Sequence, residues 1–315
     1  MAGNYTLPEV NENGEFTTLI DKAPQPPTTC AKISGLGGLP IDATYVDEAG
    51  SSASVVTEYR NLVERTGVDA VIGYISSGNC LAVAPVAEEL GTITLLYDCG
   101  TPRIFEENDY TTVFRVTPTA TMDNVAAARY LLDQMPDVES VSGINQNYAW
   151  GQDSWRDFTL ALKALKPDVE IRRELFPKLF AGEYGAEISA AMASGSDVVH
   201  TANWGGDLES LVLQSVARGL PQRMTMLMTA GESAMFRLGD KMPNGSIVGG
   251  RGPHGVLAPE SELNSWFQQA YFDKFGERPT YPSYHMAQSI LALKYAWDRA
   301  TEENGGEKPT SEQVS

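Results

Sequence analysis

Five short stretches constrain this chain most, because each places small, hydroxylic or aromatic residues where a β-strand should end and a helix begin. They are Ile75-Ser76-Ser77-Gly78-Asn79, Asp98-Cys99-Gly100-Thr101-Pro102, Asn147-Tyr148-Ala149-Trp150-Gly151, Ala202-Asn203-Trp204-Gly205 and Ala230-Gly231-Glu232-Ser233. In open α/β sheets, ligands bind outside the carboxyl ends of the strands, where loops lead into helix N-termini. Two of the stretches precede a change in the chain near residue 118 and three follow it. That arrangement predicts a cleft with two jaws that hold a small molecule.

The intervening pattern is regular from Pro40 onward. Ile41 to Val46 alternates like a strand, and Val55, Tyr59, Leu62 and Val63 form a helical stripe closed by Gly67. Val68–Gly73 predicts a buried strand, Leu81–Leu90 a helix and Thr92–Tyr97 the next strand. Strands alternating with helices imply a parallel sheet. Phe114-Arg115-Val116-Thr117-Pro118 reads as a crossing strand ended by proline. A second series of strands is expected at 138–144, 169–176, 198–201, 224–228 and 247–250. Helices are expected around Met122–Met135, Trp155–Leu165, Leu208–Val216 and 260–275, and a last one from near Tyr284. The fold class is therefore α/β, with parallel sheets flanked by helices. Residues 1–38 are polar, hold Pro24, Pro26 and Pro27, and show no periodicity, which predicts an extended or poorly ordered arm.

At 315 residues there is material for two domains. A net charge of −18 excludes non-specific nucleic-acid binding, which needs cations to neutralise phosphates. No apolar run approaches the roughly 20 residues that span a bilayer. Met1 to Glu15 lacks the basic flank and apolar stretch of a secretory signal. Cys30, Cys80 and Cys99 sit at neither zinc nor redox spacing, so no metal is expected. The burial habits of free cysteine favour small buried thiols, and a Cys80–Cys99 disulfide stays open for an exported protein.

Each junction offers a chemistry. Ser76 and Ser77 at a helix start would hold an anion such as a carboxylate, or simply cap the helix. Cys99, Gly100 and Thr101 repeat the design one strand away. Tyr148 and Trp150, with Asn203 and Trp204, would close over a ligand or face an ammonium through cation–π contact. Glu232 would neutralise a ligand ammonium or serve as a helix N-terminal charge. Gly35-Leu36-Gly37-Gly38 follows no strand, so no dinucleotide fingerprint is expected, and no Walker A, nucleophile-elbow, His-Glu-x-x-His or EF-hand pattern occurs. His200, which ends an apolar strand, reads as structural. No catalytic residue and no cofactor is predicted.

Val68 to Ser77 followed by Ala84-Pro85-Val86-Ala87-Glu88-Glu89 resembles the branched-chain amino-acid-type substrate-binding proteins of ABC transporters. Asn147 to Asp153 is similar to their second-lobe aromatic loop, and Phe114 to Pro118 to their first crossover. The likeness runs over roughly 40–312. It implies a type I periplasmic binding fold, in which two Rossmann-like lobes joined by three crossing segments close on a ligand like a hinged trap. The carboxylate grip then falls on Ser77, Cys99 and Thr101, the aromatic wall on Trp150 and Trp204, and the ammonium partner near Glu232. The lobes would be 39–117 and 118–249, with 250–315 crossing back to lobe 1 after the 1–38 arm. The family's first strand and helix and its last strands are not read in this chain. The resemblance further implies a periplasmic location, a membrane permease as partner and a small carboxylate or amide as ligand. A ligand-sensing regulatory domain of the same fold is the alternative.

Overall fold

A computed structural model describes residues 35–315. Its strands form two parallel sheets. The first contains β1 (Ala70–Gly73), β2 (Ile93–Leu96) and β3 (Val113–Arg115) in that order. The second contains β4 (Ser140–Ile144), β5 (Glu170–Leu175), β6 (Val198–Thr201), β7 (Thr225–Met228) and β8 (Ile247–Val248), in the order β5-β4-β6-β7-β8. All pairings are parallel, as alternation with helices dictates.

Local chemistry sets the helix limits. Ser51 caps α1 (Ser52–Asn61) by accepting a hydrogen bond from Ser54 N. That helix widens into a π turn over Leu62–Thr66 and stops at Gly67, whose φ of +73° is the left-handed value that glycine adopts without penalty. Next come α2 (Ser77–Leu90), α3 (Arg103–Glu106), α4 (Ala120–Gln134) and α5 (Ala149–Leu165). They are followed by α6 (Gly185–Ser194), α7 (Gly205–Ala217), α8 (Glu232–Leu238), α9 (Glu262–Phe275), α10 (Tyr281–Glu303) and α11 (Ser311–Val314).

Both sheets are covered on both faces, which explains why β2 and β6 are buried at every position. On one face of the first sheet, Leu96 packs with Val55 and Tyr59 of α1 and Val83, Ala84 and Ala87 of α2. On the other, Ile93 and Leu95 meet Leu293, Trp297 and Ala300 of α10. The second sheet carries Leu208, Leu211 and Val212 of α7 against Met226 and Met228, and Leu131, Phe158 and Leu162 of α4 and α5 against Val198 and Leu227. The chain thus crosses from the first sheet to the second after β3 and returns after β8.

Three expectations change. Residues 41–46 form no strand: Ile41 is 55% and Tyr45 92% exposed, and alternation without a neighbouring strand to pair with leaves the backbone irregular. Cys80 and Cys99 are joined in a disulfide rather than held as free thiols, because parallel pairing of β1 and β2 brings the start of α2 beside the end of β2. Helix α6 was not foreseen, since only Ile188 and Ala191 of its small-residue sequence are buried. The predicted arm lies outside the described residues up to 34. Residues 35–39 make a tight turn clipped to α10, with Gly37 N donating to Asp298 Oδ1 (2.6 Å) and Lys294 Nζ to Gly35 O (3.0 Å).

Candidate functional site

All five junctions lie at carboxyl ends, after β1, β2, β4, β6 and β7, and one cavity collects residues from each. Ile75 and Ser77 come from the first, Asp98 and Gly100 from the second, Tyr148 and Trp150 from the third, Trp204 from the fourth and Ala230 from the fifth. The return crossing adds Arg251 and Tyr281. The free volume is about 10 Å³, room for little more than one water.

The side chain that fills the cleft is Arg251. Its backbone takes φ +54° between Gly250 and Gly252, a conformation uncommon for a side-chain-bearing residue. Nη1 donates to Asp98 Oδ1 (2.6 Å) and Asp98 O (2.9 Å), and Nε to Asp123 Oδ2 (3.1 Å). The guanidinium lies 4.5 Å over the Trp150 ring and 5.4 Å from that of Tyr281. Burial opposes its charge, but Asp98 and Asp123 outweigh burial and raise its pKa further. Burial likewise pushes the Asp123 carboxyl upward despite Arg251 beside it.

His285 supports this cluster from α10. Its Nε2 faces the carbonyl of Arg251 (2.9 Å), which can only accept, and its Nδ1 faces Asp98 Oδ1 (2.7 Å). His285 thereby ties α10 to both the backbone of Arg251 and the side chain of Asp98.

The aromatic wall is fixed by its own hydrogen bonds. Trp150 Nε1 donates to Ala202 O (2.7 Å) and Trp204 Nε1 to the Tyr148 hydroxyl (2.7 Å). Burial raises the pKa of Tyr148 and keeps it a neutral phenol. Gly100 is required beside this wall: a Cβ there would lie 2.2 Å from Trp150 Cζ3.

Of the residues expected from the sequence, the structure brings Ser77, Gly100, Tyr148, Trp150 and Trp204 together and leaves five off the wall. Ser76 does not meet the cavity. The backbone amides of Ile75 and Ser76 already donate to Glu48 (2.7 and 3.0 Å), so an internal carboxylate occupies that helix start. Cys99 is consumed by the disulfide. The Thr101 hydroxyl donates instead to Asp153 Oδ2 (2.6 Å), while Thr101 N reaches Ser77 Oγ (3.3 Å). Asn203 is fully buried, and neither atom of its side-chain amide has a partner among the described residues. Glu232 is held by His254 Nε2 (2.8 Å) and Tyr281 N (2.7 Å), which ties α8 to the return crossing and removes it as an ammonium partner in the cleft. His200 is a core residue of the second sheet, stacked on Phe158 at 4.3 Å.

Sequence reasoning missed Arg251, Tyr281, Glu48 and His285. A lone cation within Gly249-Gly250-Arg251-Gly252 just after a strand was a usable signal for Arg251. Nothing local marks the other three.

The sequence model of the periplasmic binding protein family matches residues 7–315, reaching well into the segment taken for an atypical arm. The chain belongs to the periplasmic binding protein family. No curated protein matches this periplasmic binding protein. Its fold is similar to an amino acid ABC transporter substrate-binding protein from Pseudomonas fluorescens Pf-5, at TM-score 0.77 and 19% identity, over 90% of this chain and 73% of that one. It is also similar to a leucine-binding protein from Thermotoga maritima MSB8 (TM-score 0.73, 18% identity, 89% and 76% covered). A third similar structure is an ABC transporter solute-binding protein from Rhodopseudomonas palustris BisB5 in complex with 3,4-dihydroxybenzoic acid (TM-score 0.74, 19% identity, 89% and 74% covered). The two parallel-sheet units with a cleft between them are the type I form of this fold.

Proposed function

We propose that this periplasmic binding protein is the solute-binding component of an ABC importer and captures a small carboxylate, an amino acid or a related compound, by closing its two lobes. The observation that carries the reading is the single cavity fed by all five strand-end junctions of both sheets, with the Ser77 hydroxyl, the Arg251 guanidinium and four aromatic rings on its wall. The similar structures support the ligand class, since one holds 3,4-dihydroxybenzoic acid and another 4-hydroxybenzoate. The closing lobes are 39–117 with 250–315, and 118–249. Ser77 and Gly100 contribute the first-lobe contacts, and Tyr148, Trp150 and Trp204 the second-lobe contacts. The protein delivers its ligand to a membrane permease from the periplasm and performs no chemistry on it.

A thermal-shift screen of the purified protein against amino acids, aromatic acids, amides and sugars tests the reading. Ligand at 100 times its dissociation constant adds about 2.7 kcal/mol of stability. Stabilisation by carboxylates is the expected result. Stabilisation by sugars or neutral amides alone overturns it.

A further inference from the structure

The cavity wall carries one cation, Arg251, and one acid, Asp98. We infer that Arg251 receives the carboxylate of the ligand, and that the ligand is a carboxylate without a neighbouring amino group, with an apolar or aromatic body. This rests on the carboxylate reading above and narrows it.

Arg251 stays in the cleft when a ligand enters. Moving it out would strip its partner from Asp98 and Asp123, which are 2% and 8% exposed, and a buried carboxylate left without its cation is strongly unfavourable. A ligand must therefore bind beside the guanidinium. A guanidinium has five N–H donors. Nε is used on Asp123 and both Nη1 hydrogens on Asp98, while Nη2 has only a long 3.4 Å contact to Pro118 O. One Nη2 hydrogen has no bond among the described residues. Nη2 lies 2.8 Å from where a Cβ of Gly100 would stand, so this edge of the guanidinium runs along the bare backbone of the first-lobe wall. Once the lobes part to admit a ligand, an acceptor placed there meets a charge that Asp98 and Asp123 already hold in position.

An ammonium finds no comparable place. Asp98 Oδ1 is shared by Arg251 and His285, so Asp98 Oδ2 offers an acceptor on a carboxylate whose charge Arg251 already offsets, and Glu232 is bound to His254 and Tyr281 away from the cavity. One face of Trp150 is covered by Arg251 itself. An ammonium entering this wall would lose its water without gaining an unshared counter-charge. Ile75, Ala230 and the rings of Trp204 and Tyr281 suit an apolar body instead.

Isothermal titration calorimetry on the full chain tests this with matched probes: phenylacetate against phenylglycine, 4-methyl-2-oxopentanoate against leucine, and methyl phenylacetate as the uncharged control. The amine-free acid of at least one pair should bind tenfold or more tightly than its amino acid, and methyl phenylacetate should not bind. Arg251→Lys keeps a cation between Asp98 and Asp123 but loses the forked donors, and should weaken the bound acid at least tenfold with thermal stability retained. Amino acids binding as tightly as their amine-free partners would overturn the inference and leave carboxylate capture standing. Undiminished binding by Arg251→Lys would remove Arg251 from recognition. Methyl phenylacetate binding as well as phenylacetate, or silence from all five probes, would overturn both readings.

Discussion

The hydroxyl of Thr101 and the carboxylate of Asp153 meet at 2.6 Å across the cleft, Thr101 following β2 of the first sheet and Asp153 standing on α5 of the second unit. Arg103 adds two bonds to the same carboxylate, at 2.9 and 2.6 Å. Asp153 is fully buried, so these charge-assisted bonds hold the two units together. Asp153→Asn is expected to weaken the closed arrangement by roughly 1–3 kcal/mol. Small-angle scattering should show a larger radius of gyration for the variant; an unchanged profile would mean that the bond does not control closure.

Gly100→Ala should act on the cleft more than on the fold. The added Cβ meets the Trp150 ring of the facing side at 2.2 Å and Arg251 Nη2 of the return crossing at 2.8 Å. The units are expected to be held apart, with carboxylate binding reduced at least tenfold and the circular dichroism spectrum kept. Retained affinity would show that Trp150 moves aside at little cost.

Reduction should destabilise the first sheet unit. The disulfide closes a loop with a separation of 19 residues, and constraints of that length contribute roughly 3 kcal/mol. Cys80→Ser with Cys99→Ser is expected to shift the urea midpoint downward by a corresponding amount. A midpoint indifferent to both the substitution and dithiothreitol would argue against the pairing.

His200 predicts an acid limb in stability. Burial holds its imidazole down to a pKa of about 3, against an ordinary value of 6.5. The neutral ring matches its partners: Nε2 lies 2.8 Å from Asn124 Oδ1 and Nδ1 3.3 Å from Asn145 Nδ2. A depressed folded value means that the stabilisation is full above pH 6.5 and is lost as pH falls from there toward 3. The slope is roughly 1.4 kcal/mol per pH unit. Urea unfolding of His200→Gln and the parent at pH 7, 6 and 5 should show the gap between them narrowing by about half that amount from pH 7 to 6 and by close to the full amount from pH 6 to 5. A constant gap would refute it.

Much of the layout was legible because strand ends announce themselves: Gly, Ser, Thr, Asn and Trp cluster where backbone leaves a sheet, and all five such clusters lie at carboxyl ends. What each polar group does there was less legible. The sequence displays donors at 76 and 101 but not the internal acceptors that claim them. Glu48 stands just beyond a segment patterned like a strand, and Asp153, about one turn into α5, meets Thr101 only once the fold is closed. Arg251 and His285 are distant from every junction in sequence, and only the return of the chain to the first sheet brings them to Asp98. Residues 41–46 misled because alternation describes a half-buried ribbon without saying whether another strand lies beside it.

Of the five tryptophans, Trp150 and Trp204 line the cavity, Trp155 and Trp297 are enclosed in separate cores, and Trp266 is 41% exposed on α9. The molecule therefore contains its own optical gauge. Any parting of the lobes exchanges the surroundings of two indoles while two others stay dry and one stays wet. With Trp266 replaced by phenylalanine, the emission maximum becomes a direct reading of how far the cleft stands open, without a dye attached.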